Sequence, residues 1–338
     1  FERKLDAVRR KVGELRFKLG VQLIEGANDP LDIGHALARV AEAALIVLTD
    51  ETAAEFEINH GRVPGSELVV LGLGRMGGGV LTHASDLDLV YLFTGDFNAE
   101  SDGRRPLGAT HYYNRLSQRA ISALSVPTAE GALYEVDTRL RPSGAQGPPA
   151  ASIDSFERYQ REQAWTWEHM ALCRARPLYG SQEASEALSD VIGNVLTAPR
   201  VREELLADVL EMRATMAKHK APKGSLDVKL ARGGLVDLEF IVHFTQLREG
   251  RGFRPGLADA IRELDLPLGE AHDVLSRFLV AARLLAPDSK VPCDAACMAL
   301  VRACGYEDWN TLEAGLLSAR GQVAAAWQEA FGETLEIE

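Results

Sequence analysis

Two aspartates standing two residues apart inside an apolar run most narrowly limit how this chain folds. The run is Ser85-Asp86-Leu87-Asp88-Leu89-Val90-Tyr91. Its β-branched and aromatic content predicts a strand over 86–93. Side chains alternate across a strand, so Asp86 and Asp88 share one face while Leu87, Leu89 and Tyr91 share the other. The apolar face requires a core. The acidic face places two like charges side by side, which is costly unless something relieves the repulsion. A divalent cation does so, and Mg²⁺ suits carboxylate oxygens together with phosphate oxygens and water. A solvated edge strand with two acids on its wet face meets the same spacing, and on these residues alone the two readings stand level.

A second segment, Leu133-Tyr134-Glu135-Val136-Asp137-Thr138-Arg139-Leu140-Arg141, shifts the balance. Read as a strand, it turns Tyr134, Val136 and Leu140 to one face and Glu135, Asp137, Arg139 and Arg141 to the other. Laid beside 86–93, it brings Asp137 to the first two acids. Three carboxylates then hold two metal ions and the arginines take phosphates, the arrangement of in-line phosphoryl or nucleotidyl transfer. The competing reading is an ion-paired strand surface.

Ahead of the two aspartates, Leu68–Leu71 predicts a short buried strand that ends in the loop Gly72-Leu73-Gly74-Arg75-Met76-Gly77-Gly78-Gly79. The loop lacks the lysine and hydroxyl of a P-loop. It contains G-x-G-x-x-G, but the next strand follows too soon for a crossover helix, which excludes a parallel dinucleotide-binding unit. Gly77 and Gly78 are expected to offer backbone N–H groups to phosphate oxygens at a following helix start.

The rest of the chain reads as helix. Apolar residues at helical spacing predict helices over 2–24, 31–58 and 110–124, then 153–172, 184–196, 200–220, 234–249, 267–285, 291–303 and 311–331. In 200–220 the stripe Leu205, Val209, Met212 and Met216 is expected to be core. The fold class is therefore α+β: a helical lead-in (1–62), a small mixed sheet flanked by helices (63–180) and a helical bundle (181–338). A net charge of −12 argues against a nucleic-acid partner, which needs a basic surface for phosphate contacts. The longest apolar stretch, Ala43–Leu48, is far too short to span a bilayer. Cys173, Cys293, Cys297 and Cys304 form no C-x-x-C pair and read as small buried or half-buried residues in a reducing cytoplasm. The chain opens on Phe1 already in a helical pattern, which reads as a piece of a longer polypeptide.

A glycine loop, a short spacer, D-x-D, a helix and a later strand aspartate form the pattern of polymerase-β-like nucleotidyltransferases. The longer blocks, Gly72–Gly78 with Ser85–Leu89, Tyr134–Gly144, Ala164–His169 and Gly233–Ile241, resemble the glutamine synthetase adenylyltransferase family. The resemblance implies ATP as substrate, Mg²⁺ or Mn²⁺ as cofactor, and Asp86, Asp88 and Asp137 as catalytic metal ligands. It further implies that Gly77, Gly78, Ser85, Arg139 and Arg141 bind nucleotide. Members of that family join two related halves, one adding AMP to a tyrosine hydroxyl of glutamine synthetase and one removing it by phosphorolysis. The wording YEVD-x-RLRPSG and AWTWEH, with Asp237 where the removing half has arginine, is that of the adding half. Implied partners are glutamine synthetase as substrate, with a PII-type nitrogen-signalling protein and glutamine as regulators of the full-length enzyme, all in the cytoplasm. The removing reaction, another acceptor and a non-catalytic interaction domain are the alternatives. The chain departs from the family pattern in Arg75-Met76, where Lys-Leu is usual, and in Ala84, where Ser or Gly is usual.

Two further groups have structural expectations. Trp165 and His169, four apart on a helix, are expected to form a buried aromatic seam, with Glu168 as a lesser candidate for nucleotide contact. Asp237 and Glu239 point to nearly opposite sides of a helix, and Asp237 in the first turn is expected to complement the helix dipole.

Overall fold

The computed structural model describes residues 1–337. Their internal contacts group into two units: Phe1–Leu15, Ala38–Gly78 and Ser85–Leu196 in the first, and Arg16–Leu37, Gly79–Ala84 and Thr197–Glu338 in the second. The long helices α1 (Glu2–Glu25) and α2 (Pro30–His60) supply residues to both. α2 starts where sequence chemistry sets it. Pro30 occupies the first turn, and the Leu31 N–H donates to Asp29 Oδ1 at 2.8 Å.

The first unit is built on a five-stranded mixed sheet. In chain order its elements are β1 (Leu68–Gly72), α3 (Gly74–Gly77), β2 (Leu87–Phe93), α4 (Ala109–Ser125), β3 (Val136–Asp137), β4 (Ala150–Ser152), α5 (Ile153–Glu162), α6 (Thr166–Leu172), β5 (Arg176–Tyr179) and α7 (Gln182–Leu196). β1, buried along its whole length, pairs antiparallel with β2 on one side and β5 on the other. Along the far edge of β2, β3 and β4 follow one another, both parallel to it. The α+β expectation is met. The antiparallel β1–β2 pair agrees with the exclusion of a parallel dinucleotide-binding unit.

Three local expectations are corrected here. The strand over 133–141 shrinks to Val136–Asp137, and pairing with β2 resumes only at Ala150. Asp137 itself ends it, because Oδ1 accepts the Arg139 N–H at 2.8 Å in a turn that competes with the ladder. The helix over 153–172 is two helices. Glu168 Oε2 turns back to accept the Trp165 N–H at 2.9 Å, a helix-start device that the continuous polar and apolar period conceals. β4 and β5 have no counterpart in the expected strands. β5 contains Pro177, which tolerates an edge but breaks a strand pattern.

The second unit contains α8 (Arg202–His219), α9 (Leu235–Glu249), α10 (Leu257–Glu263), α11 (Gly269–Leu285), α12 (Asp294–Cys304) and α13 (Trp309–Phe331). α9 is buried on nearly every side and packs against α8, α10, α11 and α13. Phe244, Trp327 and Phe331 meet with ring centroids 4.3–4.9 Å apart. On α8, Leu205 and Val209 are core as expected, but Met212 and Met216 are only half-buried and Arg213 takes the buried place. Cys293 is exposed, against expectation. Among the described residues no helix is long and apolar enough to cross a membrane.

Candidate active site

Asp86 precedes β2, Asp88 lies within it, and Asp137 ends β3. The ladder sets their meeting: Asp88 is directly opposite Asp137, and the Leu87 N–H donates to Glu135 O at 2.9 Å. One carboxylate oxygen from each of Asp86, Asp88 and Asp137 lies within 4.8 Å of the others. Asp86 is exposed and the other two are half-buried, while Leu87 and Leu89 are fully buried behind them. Side-chain alternation along β2 thus gives an acidic face on a packed strand. Three convergent hard oxygen donors fit Mg²⁺ or Mn²⁺.

The glycine loop closes over this edge. Leu73 N–H donates to Asp88 O at 3.0 Å, and α3 starts at once. Gly74 has φ +52°, and a Cβ there would stand 2.3 Å from Asp88 Oδ2. Only glycine fits against the aspartate, a constraint foreshadowed by the G-x-G pattern but not assigned to it.

The N–H groups of Gly77 and Gly78 point into α3, not out of a following helix start. Their N–H groups already donate to Leu73 O at 2.8 Å and Gly74 O at 3.1 Å, because the helix lies inside the glycine loop instead of following it. They are glycine for another reason. A Cβ on Gly77 would meet Arg174 O at 2.0 Å, and one on Gly78 would meet Arg174 Nη2 at 2.4 Å. Arg174 is 8% exposed beneath the loop, and nothing in the local sequence marks it.

Arg139 holds Asp137 through Nε, at 3.0 Å to Oδ1 and 2.9 Å to Oδ2, and through Nη2. The hydrogen bond, then the charge of Asp137, raises the guanidinium pKa, with Asp86 and Asp88 adding to it. Arg141 is directed elsewhere. It donates to Thr138 O at 2.8 Å, Thr138 Oγ1 at 2.7 Å, Gly147 O at 3.2 Å and Ala145 O at 3.3 Å, bracing the loop that follows Asp137. Ser85 is half-buried next to Asp86.

The expected aromatic seam is absent. Trp165 is 71% exposed and Trp167 40%. The buried member of that block is Glu168, which accepts from Tyr159 Oη at 3.0 Å as well as from the Trp165 N–H. Its role is to join α5 to α6. Asp237 sits in the first turn of α9 as expected, fully buried and bonded to Arg213.

Residues 1–190 match the model of the glutamate-ammonia ligase adenylyltransferase family. A protein of Brucella suis named bifunctional glutamine synthetase adenylyltransferase/adenylyl-removing enzyme is 46% identical over 248 residues, 73% of this chain and 25% of the relative. One of the same name from Xanthobacter autotrophicus is 38% identical over 347 residues, 97% of this chain and 35% of the relative. The chain thus spans about a quarter to a third of the length of these relatives. The match runs through the glycine loop and all three clustered aspartates, and the chain belongs to the glutamate-ammonia ligase adenylyltransferase family.

Proposed function

We propose that this chain is a polymerase-β-like nucleotidyltransferase that transfers AMP from ATP to a tyrosine hydroxyl of glutamine synthetase. The observation that carries this reading is the convergence of Asp86, Asp88 and Asp137 within 4.8 Å beside the glycine loop. The names of the relatives support the acceptor.

In this reading the three carboxylates hold divalent cations, Mg²⁺ or Mn²⁺. Such ions neutralise charge on the triphosphate and favour the ionised acceptor. The tyrosine oxygen forms a bond to the α-phosphorus, and the bond from that phosphorus to pyrophosphate breaks. A free tyrosine has a pKa of about 10, so its proton must be taken up at neutral pH. Asp137 receives it. Arg139, whose side chain is 78% exposed, leaves Asp137 for the incoming phosphates and so frees the carboxylate for that task. Ser85 completes the phosphate contacts. Gly77 and Gly78 let α3 pack closely on Arg174 beneath the nucleotide, and Arg141 braces the Asp137 loop. In the longer polypeptide, a PII-type protein and glutamine regulate this reaction.

The test is incubation with purified glutamine synthetase, ATP and Mg²⁺, followed by intact-mass measurement. A gain of one AMP per subunit is expected. Release of AMP from pre-modified glutamine synthetase on addition of phosphate, with no gain in the forward assay, would replace this reading with the removing reaction.

A further inference from the structure

The glycine loop has little with which to hold itself. With glycine at Gly72, Gly74, Gly77 and Gly78, only Leu73 and Met76 bury apolar side chains. Glycine-rich chain loses the most conformational freedom on ordering, so such a loop needs anchors outside itself. Its first end is held by the sheet, where Gly72 pairs with Leu89 of β2 and with Arg176 of β5. Gly74 stands against Asp88. Gly77 closes the four-residue helix α3, and the last carbonyls of a helix find no partner within it.

Arg176 supplies that partner. Its Nε donates to Gly77 O at 3.3 Å. The same guanidinium forks onto Glu42 of α2, with Nη1 3.1 Å from Oε1 and Nη2 2.7 Å from Oε2. A carboxylate gripped by both Nη groups fixes the plane of the guanidinium, and so fixes where the remaining N–H points. One side chain thereby ties β5, on which it stands, to α2 and to the end of α3. The pair is partly exposed, 35% at Arg176 and 27% at Glu42. An ion pair in contact with water adds little to global stability. Its consequence is local: it sets where Gly77 stands and, through the single turn of α3, where Gly74 stands against Asp88.

We propose that Arg176 is a positioning residue for the nucleotide: Glu42 aims its guanidinium, and Nε fixes the Gly77 carbonyl and with it the seat of α3 beneath the triphosphate. That the ligand is a nucleotide rests on the adenylyl-transfer reading, whereas the strap from α2 to the loop stands on these bonds alone. Lysine cannot take the place of Arg176, because an ammonium is a point charge and does not fork onto a carboxylate while facing a carbonyl. Glutamine at position 42 keeps the shape of the partner but loses the charge that grips the fork. Neither change alters a clustered aspartate.

The experiment is amide hydrogen exchange of the full chain, read on residues 73–78, together with the KM for ATP in the AMP-transfer assay and urea unfolding. The Gly77 and Gly78 N–H groups, bonded to Leu73 O and Gly74 O, report the ordered loop. Arg176→Lys is expected to speed their exchange about tenfold or more and to raise the KM about tenfold with kcat held within about twofold. Exchange elsewhere and the urea midpoint are expected to stay unchanged. Glu42→Gln is expected to move the same quantities in the same direction, and it decides the matter if Arg176→Lys does not fold. The charge-swapped double variant, Glu42→Arg with Arg176→Glu, restores the ion pair but not the donor to Gly77 O, and is expected to leave the loop as loose as Arg176→Lys does. Loop exchange within about twofold of wild type in the folded single variants overturns the proposal. So does faster exchange throughout the chain, failure of both single variants to fold, an unchanged KM while the loop loosens, or a swapped pair that restores the loop. A wild-type chain that transfers no AMP sinks the adenylyl-transfer reading, and the exchange arm still decides whether Arg176 holds the loop.

Discussion

Asp137 in the sheet unit and Asp237 in the helical unit each hold an arginine, one partner standing in solvent and the other buried. The Asp137 side chain is 16% exposed and its partner Arg139 78%. Asp237 is 0% exposed and its partner Arg213 4%. An exposed pair is worth at most about 1 kcal/mol and exchanges readily with water or a ligand. A buried pair contributes little net stability once desolvation is counted, yet removing one member strands a charge. The same two side chains therefore make a switchable contact in one unit and a fixed one in the other. What differs between the two pairs is the exposure of the arginine, not the pairing itself.

The comparison yields five predictions. Asp86→Asn is expected to reduce AMP transfer roughly 10⁴-fold, ~5 kcal/mol of transition-state stabilisation, with the urea midpoint unchanged. A parallel loss of stability would make Asp86 a structural residue like Asp237. Asp237→Ala is expected to cost about 3–5 kcal/mol in urea unfolding, and a cost below about 1 kcal/mol would erase the contrast between the units. Gly74→Ala, which drives a Cβ toward Asp88 from a left-handed backbone, is expected to cost about 1–3 kcal/mol and to weaken cation binding. Unchanged Mn²⁺ affinity in that variant would show that the loop does not shape the site. Arg139→Gln is expected to raise the KM for ATP about tenfold while the urea midpoint stays unchanged. Trp165→Ala is expected to stay within about 0.5 kcal/mol of wild type, and a loss above about 2 kcal/mol would restore the buried seam.

How far the sequence could be read follows from which forces are local. α2, α4 and α13 are long and amphipathic, and their periods predict them within a few residues. The aspartate cluster was legible because alternation on β2 is a property of the strand itself, and β3 falls into the register that joins Asp137 to Asp88. Features set by side chains reaching back onto the backbone were not legible. Asp137 stops its own strand, Glu168 starts α6 inside an apparent single helix, and β5 is held by distant partners. One of these is an ion pair from Arg176 to Glu42 of α2 at 2.7 Å. The close packing of Gly77 and Gly78 was not legible because Arg174, against which they stand, lies almost a hundred residues away in sequence.

The central claim, that Asp86, Asp88 and Asp137 together form a cation site, is tested most directly by titrating Mn²⁺ and following the free ion by electron paramagnetic resonance. Saturable binding by the wild-type chain is expected, lost in both Asp88→Asn and Asp137→Asn while their melting temperatures hold. Binding that persists with equal affinity in either variant would contradict the account.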